Sequence, residues 1–289
     1  MALQAVVKID LIKSQLAPIS QFTRTSEFEM SRKLALITGA SAGIGKEFAR
    51  YHASLGGDVI LVARREEALH KLAAELVSKH GVKAHVFAAD LGTVEGTTAL
   101  YNAVKAKGHS VDILINNAGF GFHGLFQEAD LSRNLAMVDL NIKSLATLTH
   151  LVLQDMVAKR SGKILHVGST AGMIPGPFQA TYHATKAFVN SFSLSLSEEL
   201  RDKGITSTVL TPGPVATEFF DVADMKDAKG IQGKLPSAAS VAKIGYDGMM
   251  AGKLVVFNDP KLRFLLGWVI PFLPRKTVLK IGRDFGEKV

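Results

Sequence analysis

The sequence predicts an α/β fold: a doubly wound parallel sheet of about seven strands with helices on both faces, in a single domain. Short apolar runs rich in β-formers alternate with amphipathic helical stretches from about residue 34 onward, the pattern of strand–helix–strand crossovers. The runs are continuous rather than alternating, as in strands covered on both faces. The 289 residues, 47% of them apolar, suffice for one large core, and no linker or internal repeat divides them.

In chain order, strands are expected at 34–38, 58–62, 84–88, 111–115, 163–167, 206–210 and 254–257. Helices are expected between them, at 43–55, 65–79, 95–107, 131–158, 181–202 and 238–250. The connection from Pro212 to about Pro236 is too long for a plain turn and reads as a lid or binding loop. Residues 31–260 are read as the domain, residues 1–30 as an N-terminal extension and residues 261–289 as a C-terminal apolar and basic segment. The extension carries Lys8, Lys13 and Arg24 but no strong apolar run, which disfavours a secretory signal. A transit peptide and a start at Met30 both stay open.

Composition narrows the function classes. The chain has no cysteine, which excludes disulfides, thiolate metal sites and thiol nucleophiles. Its net charge of +8 admits nucleic acid, an anionic membrane or a phosphorylated cofactor as partner. The bases are spread among acids, as in Arg64-Arg65-Glu66-Glu67, without a basic run and interleaved aromatics, so nucleic acid is set aside. The longest apolar stretch, 264–274, falls short of the ~18–20 residues that span a bilayer. It reads either as a segment packed on the core or on another subunit, or as an interfacial patch in which Trp268 lies between Arg263 and the Arg275-Lys276 pair. A cytoplasmic location, with membrane association left open, is the expectation.

The first strand runs into Thr38-Gly39-Ala40-Ser41-Ala42-Gly43-Ile44-Gly45 and then directly into a helix. Such a Rossmann-like turn lets the backbone approach a pyrophosphate held at the helix N-terminus. The second strand ends at Ala63-Arg64-Arg65, where an NAD enzyme would carry an acid for the ribose 2′-hydroxyl. Two guanidinium groups, with the Ser41 hydroxyl, suit a 2′-phosphate instead, which predicts NADP(H). The alternative is that both arginines form a solvated helix start paired with Glu66 and Glu67. Asp90-Leu91 follows the third strand, where the carboxylate suits the adenine amino group. Asn117, Ala118 and Gly119 follow the fourth, small enough for close passage of a ribose.

Tyr182 and Lys186 stand at i and i+4, on one face of a helix. A phenol ionises near 10 in isolation, and a neighbouring ammonium is expected to lower that value into a usable range. Ser169 ends the fifth strand at the carboxyl edge of the sheet, placed to hold a substrate oxygen, and Asn141 is placed to hold a water next to Lys186.

Together these motifs resemble the short-chain dehydrogenase/reductase family over about residues 33–257. Thr38–Gly45 resembles its T-G-x-x-x-G-x-G turn, Asn116–Gly119 its N-N-A-G segment and Tyr182–Lys186 its Y-x-x-x-K. Ser169 has the spacing of the family's serine, and Pro212-Gly213 with Val215 and Thr217 resembles its P-G-x-V-x-T stretch beside the nicotinamide. The resemblance implies carbonyl/alcohol interconversion with NADP(H). Tyr182 would be the acid, with Lys186 tuning it and binding the ribose. Ser169 would polarise the substrate oxygen, Asn141 support a proton relay and Thr217 bond the carboxamide. It implies no metal. Ketoacyl or ketosteroid reductases are the nearest in look, on a hydrophobic substrate, and helices 131–158 and 181–202 would pair subunits in a homo-oligomer. A cofactor-binding sensor without turnover is the main alternative; an epimerase or dehydratase is disfavoured by the turn spacing and the modest length. Among the histidines, His166 reads as a core residue, His183 as pointing off the catalytic face and His123 as a candidate substrate contact. Residues 173–178 form an apolar loop that suits a hydrophobic pocket.

Overall fold

A computed structural model describes residues 33–288, so the expectations for residues 1–30 lie outside it. The strands are β1 (Leu34–Thr38), β2 (Asp58–Ala63), β3 (Ala84–Ala88), β4 (Ile113–Asn116), β5 (Gly162–Val167), β6 (Ile205–Leu210) and β7 (Val255–Val256). The main helices are α1 (Gly43–Ser54), α2 (Glu66–His80), α3 (Val94–Ala106), α4 (Leu131–Val138), α5 (Leu145–Ala158), α6 (Ala180–Glu199), α7 (Ala238–Met250) and α8 (Arg275–Gly286).

All seven strands pair in parallel, in the order β3-β2-β1-β4-β5-β6-β7. The order reverses beside β1, which lies between β2 and β4, and a crevice opens at the carboxyl ends of strands at such a reversal. Successive residues of β1 point to opposite faces, and both faces are covered. Ala35 and Ile37 join Phe48 of α1, Leu72 of α2 and Tyr246 of α7 in one core. Leu36 joins Leu100 of α3, Val152 of α5 and Leu196 of α6 in the other. Two buried layers explain why the strands read as unbroken apolar runs.

Three regions depart from the expected outline. The long helix over 131–158 contains a π-helical segment at Asp139–Ser144 between α4 and α5. Such widened turns recur at functional sites. The 212–236 connection is structured: it carries helical turns at Phe219–Val222 and Lys229–Ile231 around its own buried cluster of Ala223, Met225, Ala228 and Ile231. The C-terminal residues also form helix, with turns over Pro260–Phe272 followed by α8. Leu266, Ile270 and Val278 pack there against Ile174.

Candidate active site

The glycine turn and the end of β4 are built as one unit. The Thr38 hydroxyl accepts from the backbone N–H groups of Asn117 (3.0 Å) and Ala118 (2.9 Å), while the Asn117 amide donates back to the Thr38 carbonyl (2.9 Å). Gly39 and Gly43 adopt positive φ, +67° and +53°, which disfavours any side chain. A Cβ at Gly45 would lie 2.4 Å from both the Asn117 amide and the Gly39 carbonyl oxygen. Helix α1 starts after Ala42, whose methyl group cannot cap it, so its first N–H groups are left without a side-chain partner. Ile44 is half-buried beside them. Thr217 comes within 3.4 Å of where a Gly43 Cβ would stand, which brings the Pro212–Thr217 stretch to the same turn.

The two arginines at the end of β2 do not pair with the glutamates that follow them. Glu66 faces His70 and Glu67 binds Lys71, both one turn along α2. Arg65 instead donates to the Ser41 hydroxyl (3.2 Å) and to Glu218 (3.0 Å), and Arg64 is exposed alongside. Ser41 and Arg65 thus form a small cationic corner at the turn, and the missing acid leaves it unblocked from β2. Glu218 escaped the sequence reading because its contact spans 153 residues of chain. Asp90 closes a turn by accepting from the Gly92 N–H (3.0 Å), and Leu91 is buried in the core.

Tyr182, Lys186 and Ser169 converge where β5 meets α6. Burial pushes the Tyr182 phenol up to about 12, and the facing Ser169 hydroxyl pulls it back only in part. The Lys186 ammonium, pushed down to about 8 by burial, donates to the Val167 carbonyl (2.7 Å) and stands 5.9 Å from the tyrosine ring centre. The expected lowering of the phenol's pKa by Lys186 is therefore absent in this state. Burial outweighs the Ser169 hydroxyl, and the Lys186 ammonium is turned to a backbone oxygen.

Ser169 accepts from the Ala171 N–H (3.0 Å) and donates weakly to the Pro212 carbonyl (3.4 Å). Asn190, one turn beyond Lys186, donates to the Ser169 carbonyl (3.0 Å), a contact whose only sequence signal was the i+4 spacing. Asn141 is buried in the π-segment. Its amide donates to the Phe120 carbonyl (3.0 Å) and to Thr185 (3.1 Å), and its oxygen accepts from the Phe120 N–H (3.1 Å). That side chain braces the end of β4 against α6, with both donors used. A Cβ on Gly119 would lie 2.8 Å from the Asn141 oxygen and 3.7 Å from the Lys186 amine.

The 212–236 connection reaches this centre. Phe219 packs on the Tyr182 ring with 5.3 Å between ring centres, while Val215 is buried in the core and the Gly213 N–H donates to Asn258 (3.0 Å). His123 is not available as an open substrate contact. It is buried, stacks on Phe178 and donates to the Gly286 carbonyl (2.6 Å), a tie made by a helix that the sequence reading did not foresee. His166 is fully buried in β5, and His183 bonds the Ile174 carbonyl (2.8 Å).

A seven-stranded parallel sheet with a glycine turn and a Tyr–Lys helix at its switch point defines a class of nucleotide-dependent α/β oxidoreductases. Residues 33–227 match the short chain dehydrogenase family, and the chain belongs to it. It is 33% identical over 253 residues to the very-long-chain 3-oxoacyl-CoA reductase of Anas platyrhynchos, covering 86% of this chain and 78% of that protein. Among solved structures, a short-chain dehydrogenase from Sphingobium yanoikuyae in complex with NADPH superposes with a TM-score of 0.74 at 28% identity, covering 84% of this chain and 97% of that one. The bulky-bulky ketone specific alcohol dehydrogenase from Comamonas testosteroni gives 0.70 at 26% identity over 84% and 95%. The chain is an oxidoreductase of this family.

Proposed function

We propose that this chain is an NADPH-dependent reductase of hydrophobic ketones, with 3-oxoacyl thioesters as the leading substrate class. The observation that carries the reading is the convergence of Ser169, Tyr182 and Lys186 beside Gly119 and Gly121 beyond the end of β4. The names of the relatives, a 3-oxoacyl-CoA reductase and a ketone-specific dehydrogenase, support the substrate class. The NADPH complex of the Sphingobium relative and the Ser41–Arg65 corner, with Arg64 beside it, support the cofactor.

The residues fit that cofactor. The positive φ of Gly39 and Gly43 and the close packing at Gly45 shape the turn, and the first turn of α1 would present N–H donors to the pyrophosphate. Asp90 and Leu91 would hold the adenine, while Asn117, Ala118 and Gly119 would hold the ribose. Pro212, Gly213, Val215 and Thr217 would hold the nicotinamide. When bound, the cofactor supplies a hydride from its nicotinamide C4. Ser169 holds the carbonyl oxygen of the substrate, and Tyr182 donates its proton to that oxygen. Lys186 would hold the ribose, and its charge near the phenol favours the phenolate that remains. Asn141 keeps Gly119 and Thr185, and with them Lys186, in register. Membrane contact through the C-terminal segment and pairing of copies through α4–α6 complete the reading.

The test is Tyr182→Phe assayed with NADPH against simple ketones, 3-oxoacyl thioesters and steroids. Reduction is expected to disappear while NADPH still binds by fluorescence titration. Retained turnover would remove Tyr182 from the acid role.

A further inference from the structure

The C-terminal segment carries two apolar faces of opposite fate. Leu266 and Ile270 are buried against Ile174 and Val278. Phe264, Trp268 and Phe272 follow at the same four-residue spacing on the other side, and are 64%, 68% and 81% exposed. Leu279, Ile281 and Phe285 of α8 add further exposed apolar surface. Three large aromatics in one exposed row exceed the scattered apolar residues of an ordinary surface.

The surroundings of this face are basic. Residues 261–288 contain seven Lys and Arg against two acids, Asp284 and Glu287. Arg263, Arg275, Lys276 and Lys280 are all exposed around the row. A second copy docked face to face across a two-fold would bring like charges together, whereas an anionic surface is complementary. Aromatic rings with a basic collar are the composition that settles at a lipid headgroup layer.

The same segment roofs the candidate substrate site. A Cβ on Gly282 would lie 2.7 Å from the Pro175 carbonyl, so α8 lies directly on the apolar loop between Ser169 and Tyr182. Arg283 covers the Phe178 ring, and Lys288 binds Asp224 of the lid.

We propose that the Phe264–Trp268–Phe272 face docks this protein on anionic phospholipid membranes, so that apolar substrate reaches the Tyr182 site from the lipid. The delivery half of this rests on the ketone reductase reading; the docking half does not. Trp268 is the sole tryptophan, so its emission reports directly on the face.

The full chain is mixed with vesicles of phosphatidylcholine alone or with one-third phosphatidylserine, at low and high salt. The expected result is co-sedimentation and a blue-shifted emission with the serine-containing vesicles, both weakened by salt. Phe264→Ser with Phe272→Ser keeps the reporter and is expected to lower vesicle partitioning at least tenfold without lowering the melting temperature. Arg275→Gln with Lys276→Gln should weaken binding to anionic vesicles only. A wild-type chain left in the supernatant with unshifted emission would overturn the proposal. So would vesicle binding indifferent to the double serine variant, or a dimer that the same variant dissociates in the absence of vesicle binding. For delivery, a long-chain ketone dissolved in the vesicles should lose kcat/KM in the double serine variant, while a water-soluble ketone is reduced as before. Equal losses on both would refute delivery and leave the vesicle result to stand by itself.

Discussion

Arg65, at the end of β2, is held by Glu218 of the lid at 3.0 Å, and the next residue, Phe219, covers the Tyr182 ring. One short stretch of lid therefore touches both the cationic corner and the candidate acid. Both partners of the ion pair are more than half exposed, so its worth is in the range of about 0.2–1 kcal/mol. A cofactor 2′-phosphate would compete with the Glu218 carboxylate for Arg65. Glu218→Gln is expected to tighten NADPH binding up to about fivefold and to leave NADH unchanged. Arg64→Ala with Arg65→Ala should weaken NADPH far more than NADH. Titrations of both cofactors against each variant check this, and equal effects on the two would undo the assignment of the corner.

Lys186 sets a pH limit. Its folded value near 8, below the ordinary 10.5, comes from burial, so the free protein loses this charge as pH rises through about 8. The neutral amine no longer favours a phenolate at Tyr182. The kcat/KM for ketone reduction, taken with NADPH also well below saturation so that the cofactor-free protein is the reference state, should fall above that pH. Lys186→Met should be much slower at neutral pH and lack this limb. A wild-type profile flat to pH 10 would remove the charge of Lys186 from the mechanism.

His166 makes the fold acid-sensitive. Burial holds its ring near 3 against 6.5 for a free imidazole. Between those values the unfolded chain binds a proton that the folded chain refuses. Stability is therefore lost as pH falls from about 6.5 toward 3, at up to about 1.4 kcal/mol per pH unit from this group. Thermal melts of His166→Gln should show a shallower decline over that window. An unchanged slope would assign the acid sensitivity to other groups.

Gly45→Ala tests the close packing beneath the turn. Its Cβ would meet the Gly39 carbonyl, part of a backbone tied to β4 and unable to shift freely. The variant should melt several degrees lower and bind NADPH at least tenfold more weakly. Ala42→Gly, at a half-buried position of the same turn, is the control for general loosening.

The pattern along the chain was enough for the class of fold, because strands buried on both faces and helices with one apolar stripe must write their periods into the sequence. The same holds for the motifs at the switch point: a glycine turn, a Tyr–Lys pair one helical turn apart and a serine at a strand end are local arrangements. What needed the folded chain were contacts between distant residues. Glu218 meets Arg65 across 153 positions, and His123 meets the Gly286 carbonyl across 163. The ionisation of Tyr182 and Lys186 was likewise hidden, because it follows from how deeply the fold buries both groups. Sequence spacing places a charge next to a phenol; the depth of burial and the nearest carbonyl decide what that charge can do.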